Sequence, residues 1–452
     1  MASISPVVAT SAIRDSALAP RSKSDARSTA SQQLATRRTR YDGLRIQECC
    51  RPVKGMGSPL SRRLVERSAQ AKRHVSVAAS LEIDLDIAPP PIDGDLTEAM
   101  EEYGAEFDAE GVPLTFNGND DAAIDAALNS VAVLDMSHFG RIKVSGDDRI
   151  RFLHNQTTAD FNSIPPGQGC MTVFVSPTAR TIDLATAWVM ATSVILTVSP
   201  GKAQQLVTTM DRYIFPADKV SVADISDKTK LLALIGPQAQ VVVEKLGLSQ
   251  LLGQPEGTHS HFAVEGAPAT VGVGSGLGAS VPGFLLMLSA DVAGRVWSHL
   301  TDGLGLTPIG AAAWERLRVQ QGRPMPGAEL TDEFNPLEAA LFQCVSTTKG
   351  CYMGQETIAR LITYDGVKQQ LWGLRLANPV PVGAIITSKE GAKIGKVTSC
   401  VHGPHVHDGT SSCEYLALGY IKKQEGGEGI IVLVEGQEAA VTDLPFAQRS
   451  LA

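Results

Sequence analysis

KGCYMGQETIAR, residues 349–360, is the densest run of reactive side chains in the chain. Gly350 and Gly354 bracket Cys351 and Tyr352 in a turn, and Gln355-Glu356-Thr357 begins a short helix ending in Ala359-Arg360. A sulfur so placed lies near the backbone N–H groups of a helix start and near the Lys349 ammonium, and both favour thiolate over thiol. Such a thiolate can act as nucleophile, redox group or soft metal ligand. The same residues equally describe a Cys filling a tight turn, with Lys349, Glu356 and Arg360 as a surface ion-pair network.

Upstream of this turn, short β-branched strands alternate with short helices. Val131–Leu134 and Arg141–Val144 read as strands, and Ser145-Gly146-Asp147-Asp148 leads into a helix with an acidic first turn. Ile182–Met190 and Ser193–Val198 read as a buried hairpin, followed by a helix over Lys202–Tyr213 and strands at Lys219–Val222 and Leu231–Ile235. Gly236-Pro237 ends that run and opens the next helix with Pro in its first position. The run GVGSGLG, residues 272–278, has the glycines of a dinucleotide loop, but the strand Phe284–Leu288 follows it instead of a helix, so it reads as a flexible loop. Helices return at Asp291–Leu300 and Ala311–Gln321. Downstream of the turn, LWGLRL, GAIITS, AKIGKVTS, YLALGYI and GIIVLVEG alternate strand with turn, as in a small β-barrel.

At 452 residues the chain has room for two or three domains, and 43% hydrophobic with 19% charged residues is ordinary globular usage. The net charge of −8 conceals an asymmetry: residues 1–80 carry 15 Lys and Arg against 5 Asp and Glu, leaving 25 against 43 for the remainder. The basic, Ser- and Ala-rich start has no apolar core of a secretory signal and reads as an organelle transit peptide, for a plastid before a mitochondrion. The expected organisation is a transit segment 1–78, an acidic linker and start of the folded part 79–110, an α+β body 111–365, and a β-barrel domain 366–445. The acidic body would repel phosphates, which argues against a nucleic-acid partner. No apolar run reaches membrane-spanning length, so no membrane partner is expected. Seven Cys, two of them in the transit segment, with no C-x-x-C spacing, fit a reducing compartment rather than a disulfide scaffold.

Other candidates are scattered. CVHGPHVHDGTSSC, residues 400–413, holds zinc- or iron-ligand types, but Gly403-Pro404 and Gly409 make it a hairpin loop whose spacing matches no closed site, and no metal ligand is assigned. Asp183 lies inside the apolar strand ARTIDLATAWV, either as a hydrogen-bonded ligand contact or as an acid at an exposed strand position. Arg318, on the helix around Trp314 and Leu317, either clamps a carboxylate or covers the edge of a core.

KGCYMGQETIAR resembles the signature of the YgfZ group, folate-binding relatives of the glycine cleavage system T-protein, the tetrahydrofolate-dependent aminomethyltransferase. VAVLDMSHFGRIKVSGDDRIRFLHNQTT, DRYIFPADKVSV, LLALIGPQAQ and WERLRVQQGRPMPGAELTDEFNPLEAALF are similar to further blocks of that family, so the likeness spans nearly all of the chain after residue 110. It implies an α+β, three-lobed body around a central folate-binding opening, with the C-terminal β-barrel packed on one side. It also implies tetrahydrofolate or a derivative as cofactor, and a tetrahydrofolate-binding accessory role in iron–sulfur cluster biogenesis or repair of plastid enzymes, in the chloroplast stroma, with client or assembly proteins as partners. The alternative is a folate-dependent one-carbon, aminomethyl-type transferase in which Asp183 places the cofactor amine. Cys351, Lys349 and Asp183 are the expected catalytic residues, and Asp183, Arg318, Gly354, Gln355, Glu356 and Arg360 the expected cofactor contacts. Two departures stand out: Leu184 replaces the second of the T-protein's paired acids, and Leu285 follows Gly283-Phe284 where that protein has the Glu that holds the pterin. Without a carboxylate there, folate must be gripped differently.

Overall fold

The strand Gly140–Ser145 and the hairpin Thr181–Val189/Ser193–Val198 come together in one antiparallel sheet, because each alternates small or β-branched apolar residues with a second, less buried row. In the computed structural model, which describes residues 95–278, 280–403 and 415–446, this sheet runs Gln168–Val175, Thr181–Val189, Ser193–Val198, Gly140–Ser145, Ser221–Asp224. The helices Arg149–Gln156 and Ala203–Asp211 contribute Phe152, Leu153, Leu206 and Met210 to the core on one of its faces.

A second sheet, of six strands, follows the order His259–Val264, Ala267–Val273, Gly283–Ser289, Thr229–Ile235, Ala132–Asp135, Thr307–Ile309, with only the last pair parallel. Its central strand LLALI is apolar throughout because both faces are covered. One face packs on Trp297 and the helix Leu96–Glu102, the other on Trp314 and the helix Asp120–Asn129. The third part is a closed barrel of six strands, Gln369–Leu376, Tyr415–Lys422, Lys393–His402, Ile385–Thr387, Ile431–Val434 and Gln437–Thr442. A shared apolar cluster ties it to the first sheet: Val173, Val175 and Leu184 meet Leu371, Leu416 and Tyr420, with the Phe334 ring stacked on Tyr420.

The fold is therefore α+β with mixed helices and sheets and a C-terminal closed barrel, as the strand spacing implies. Several local expectations change: the helix after Asp147-Asp148 starts at Arg149 with no acid in its first turn, and the strand expected at 219–222 lies at Ser221–Asp224. The helix after Gly236-Pro237 starts at Ala239, since Pro237 and Gln238 form a turn closed by Ala239 N–H on the Gly236 carbonyl. The helix expected over 291–300 is regular only from Ala293 to Ser298 and then widens into a looser turn, His299–Gly303. GVGSGLG is the end of a strand and an ordered wall rather than a free loop. The transit segment, the Pro89-Pro90-Pro91 linker and residues 404–413 of the Cys/His loop lie outside the described residues.

Candidate functional site

An opening of about 580 Å³, part of it open to solvent, lies between the two sheets. The first sheet supplies Gly169, Cys170, Met171, Thr186 and Trp188, and the second supplies Leu285 and the glycines of residues 273–278. The loop before the strand His259–Val264 adds Glu256, and the segment after the helix Ala311–Gln321 adds Arg323. Trp188 stacks on His259, with ring centroids 5.3 Å apart and planes 17° from parallel. Gly272 has to be glycine here, because a Cβ would overlap the Trp188 indole.

Arg323 reaches the opening through a helix ending. The helix Ala311–Gln321 stops at Gly322, which takes the left-handed conformation at φ 67°, and the chain reverses there. Arg323 follows at once. Burial draws its guanidinium below the usual arginine range, while Asp183 leads the groups that favour its charge. Glu256 is pushed above the ordinary carboxylate range by burial, with Arg323 acting in the opposite sense.

Strand alternation decides which residues near the expected paired acids can meet a ligand. Leu184, Thr186 and Trp188 share one face of their strand, and Thr186 and Trp188 line the opening. Asp183 shares the other face with Ala185 and Ala187, is fully buried, and accepts hydrogen bonds from the backbone N–H groups of Leu184 and Ser199, both at 2.9 Å. Burial raises its carboxyl, and those bonds together with Arg323 oppose the shift. Leu285, in place of the expected acid, does line the opening.

The remaining expected residues lie elsewhere. Arg318 is 1% exposed and uses all five of its N–H groups inside the protein. Nε and Nη2 donate to Glu315 at 2.7 and 2.5 Å, Nη1 to Glu329 at 2.9 Å and to the Arg323 carbonyl at 2.7 Å, and Nη2 also to Ser399 at 2.8 Å. The expectation that Arg318 clamps a ligand carboxylate is thus corrected: the carboxylates it clamps belong to the chain. Lys349 is likewise turned inward. Its Nζ donates to the carbonyls of His154, Thr157 and Ala159 at 2.5, 2.6 and 2.6 Å and lies 4.6 Å from the Tyr352 ring centroid. Burial pushes the ammonium down to about 8, against the pull of Asp160 and Cys170. No described donor reaches the sulfur of Cys351, which is exposed on the turn and outside the opening.

Gly354 caps the helix Gln355–Thr363 in the left-handed conformation, at φ 76°, with the Ser176 carbonyl 2.8 Å from where a Cβ would stand. Gln355 closes the turn by accepting from the Tyr352 N–H at 3.3 Å. Glu356 and Arg360 form an exposed ion pair one helical turn apart, of a kind that contributes little to stability. The signature is therefore a shaped turn bolted to the first sheet's helix, and the cofactor contacts expected at Gly354, Gln355, Glu356 and Arg360 are not among the walls of the opening. Sequence reasoning missed Glu256, Arg323 and Trp188.

The cysteines differ in reactivity. Cys170 and Cys344 are pushed up to about 12, chiefly by burial. Alkylation at pH 7.5 should therefore modify Cys351 at least tenfold faster than Cys170 or Cys344, which mass spectrometry of the labelled peptides will read. Equal rates at the three would contradict this environment. Among the described residues no group of three His, Cys, Asp or Glu could hold a metal ion, and no helix is long and apolar enough to cross a membrane.

Comparison with known proteins places this architecture. The family described as GCVT N-terminal domain matches residues 97–349. An Arabidopsis thaliana protein whose name marks it as an inferred chloroplastic transferase is 48% identical over 373 residues, covering 82% of this chain and 84% of its own. An aminomethyltransferase of Parafrankia is 29% identical, covering 78% of this chain and 97% of its own. The crystal structure of glycine cleavage system aminomethyltransferase T from Bartonella henselae is similar with a TM-score of 0.68 at 25% identity, covering 77% of this chain and 96% of that one. The match to the family over more than half of the chain, the near-complete coverage of these relatives and the shared fold lead to one conclusion: the chain belongs to the GCVT N-terminal domain family.

Proposed function

We propose that the protein is a folate-dependent transferase of one-carbon groups, of the aminomethyl type, acting in the chloroplast stroma, and that the opening between the two sheets takes tetrahydrofolate or a derivative. The observation that carries this reading is the composition of the opening, an indole and aliphatic slot with one carboxylate and one guanidinium at its rim. A small number of polar groups in an apolar cleft is how a protein orients a flat cofactor. The similarity to aminomethyltransferases supplies the reaction class, and the Arabidopsis relative's name the compartment. In this reading Asp183 works from behind the wall as a positioning residue, favouring the charged Arg323 guanidinium.

A second reading, an accessory factor of the YgfZ type that binds tetrahydrofolate and serves iron–sulfur client or assembly proteins, is favoured by two observations. Cys351 is exposed and unbonded on its turn, and leucines stand at 184 and 285 where the resemblance expects acids. An assay of aminomethyl transfer to tetrahydrofolate by the wild-type chain and by Cys351→Ala separates them. Turnover retained without the thiol supports the transferase. Absent turnover, combined with failure of Cys351→Ala to rescue cells with failing cluster enzymes, supports the accessory role.

A further inference from the structure

Two opposite charges meet at the opening without joining each other. Glu256 and Arg323 both line it, and among the described residues neither is in an ion pair. Glu256 is exposed at the rim and Arg323 is half-buried, so both charges are open to an entering molecule that offers hydrogen-bond donors to one and acceptors to the other. The same opening is lined by the Trp188 indole, Leu285 and Met171, apolar surface suited to a flat ring rather than to a hydrated ion.

The glycine-rich wall runs past both the carboxylate and Leu285. A Cβ on Gly274 would stand 3.5 Å from the Glu256 Oε1, and one on Gly276 would stand 3.9 Å from the Leu285 Cδ2. Glu256 and Leu285 thus border successive glycines of one row.

We propose that Glu256 and Arg323 orient a flat heterocycle in this opening, the Glu256 carboxylate accepting from its N–H edge and the Arg323 guanidinium donating to its oxygen-bearing part. The inference rests on the folate reading above and names the groups that grip the pteridine. A carboxylate matches adjacent N–H donors, and a guanidinium fork matches carbonyl or carboxylate oxygens.

The test is calorimetric binding of 5-formyltetrahydrofolate, and of p-aminobenzoylglutamate, which lacks the pteridine, to the full chain and its variants. Glu256→Gln should weaken the reduced folate by roughly tenfold to a hundredfold, the range for a hydrogen bond to a charged group, while leaving p-aminobenzoylglutamate unchanged. Glu256→Asp should fall between wild type and Glu256→Gln. Adding Leu285→Glu to Glu256→Gln should restore binding in part, because the new carboxylate faces the same opening. Wild-type binding matched by Glu256→Gln would overturn the inference and leave the folate reading standing. Absence of reduced-folate binding by the wild type would overturn both.

Discussion

Replacing Lys349 by Met is expected to lower the unfolding free energy by about 3–5 kcal/mol, the range for removing one member of a buried charged network. Its ammonium is the shared donor to three carbonyls, those of His154, Thr157 and Ala159, gathered around the end of the helix Arg149–Gln156. Methionine has similar length and no donor, so all three acceptors lose their charged partner together. Chemical denaturation of both proteins at pH 7 measures the difference, and a loss below about 1 kcal/mol would contradict the arrangement.

The same lysine gives a signed pH dependence. Burial holds it at about 8 in the folded chain, against about 10.4 unfolded. Between those values the unfolded chain keeps a proton that the native chain has released, so this group's contribution to stability rises with pH through that window. The deficit of Lys349→Met should therefore widen from pH 8 to about 10. A deficit that narrows there would mean that the ammonium is held charged by its carbonyls more firmly than burial discharges it.

Arg318→Met should be as damaging, at about 3–5 kcal/mol. Glu329 has no exposed surface and accepts from Arg318, from the Met325 N–H and from the hydroxyls of Thr398 and Ser399. Taking the guanidinium away leaves a carboxylate enclosed between the helix Ala311–Gln321 and the barrel strand Lys393–His402. The double variant Arg318→Met/Glu329→Met should recover much of the loss, because an apolar pair of similar volume is cheaper than one stranded charge. Arg318→Lys should lie in between, since an ammonium offers three donors in place of five. Folate affinity in the folded fraction should stay within about twofold of wild type, given that every Arg318 donor is engaged inside the protein. A large affinity loss with intact stability would return Arg318 to the binding site.

Much of the fold can be read from the sequence because its signals are local. The hairpin Thr181–Val189/Ser193–Val198 and the barrel strands LWGLRL and YLALGYI carry their β-branched periodicity and their turn residues within one short window each. The site is less legible because its selection is made at a distance. Arg318 and Arg323 differ little by composition, and the reversal at Gly322 determines which of them faces the opening. GVGSGLG looks flexible until Trp188, from the other sheet, is laid against Gly272. Glu256 carries no motif at all. Asp183 is legible as an unusual acid, but which face of its strand it occupies depends on pairing with Phe174 across a bulged register. Around Cys351, glycine, glutamine and lysine hold a turn in place, while the conspicuous chemistry, the sulfur, faces solvent.

The claim that the opening between the sheets is where a reduced folate binds is tested most directly by hydrogen–deuterium exchange of the full chain with and without tetrahydrofolate. Slower exchange is expected in residues 169–171, 186–188 and 273–278, which meet at the opening, with the turn and helix of residues 349–363 unchanged. Protection confined to residues 349–363, or no protection anywhere, would contradict the account.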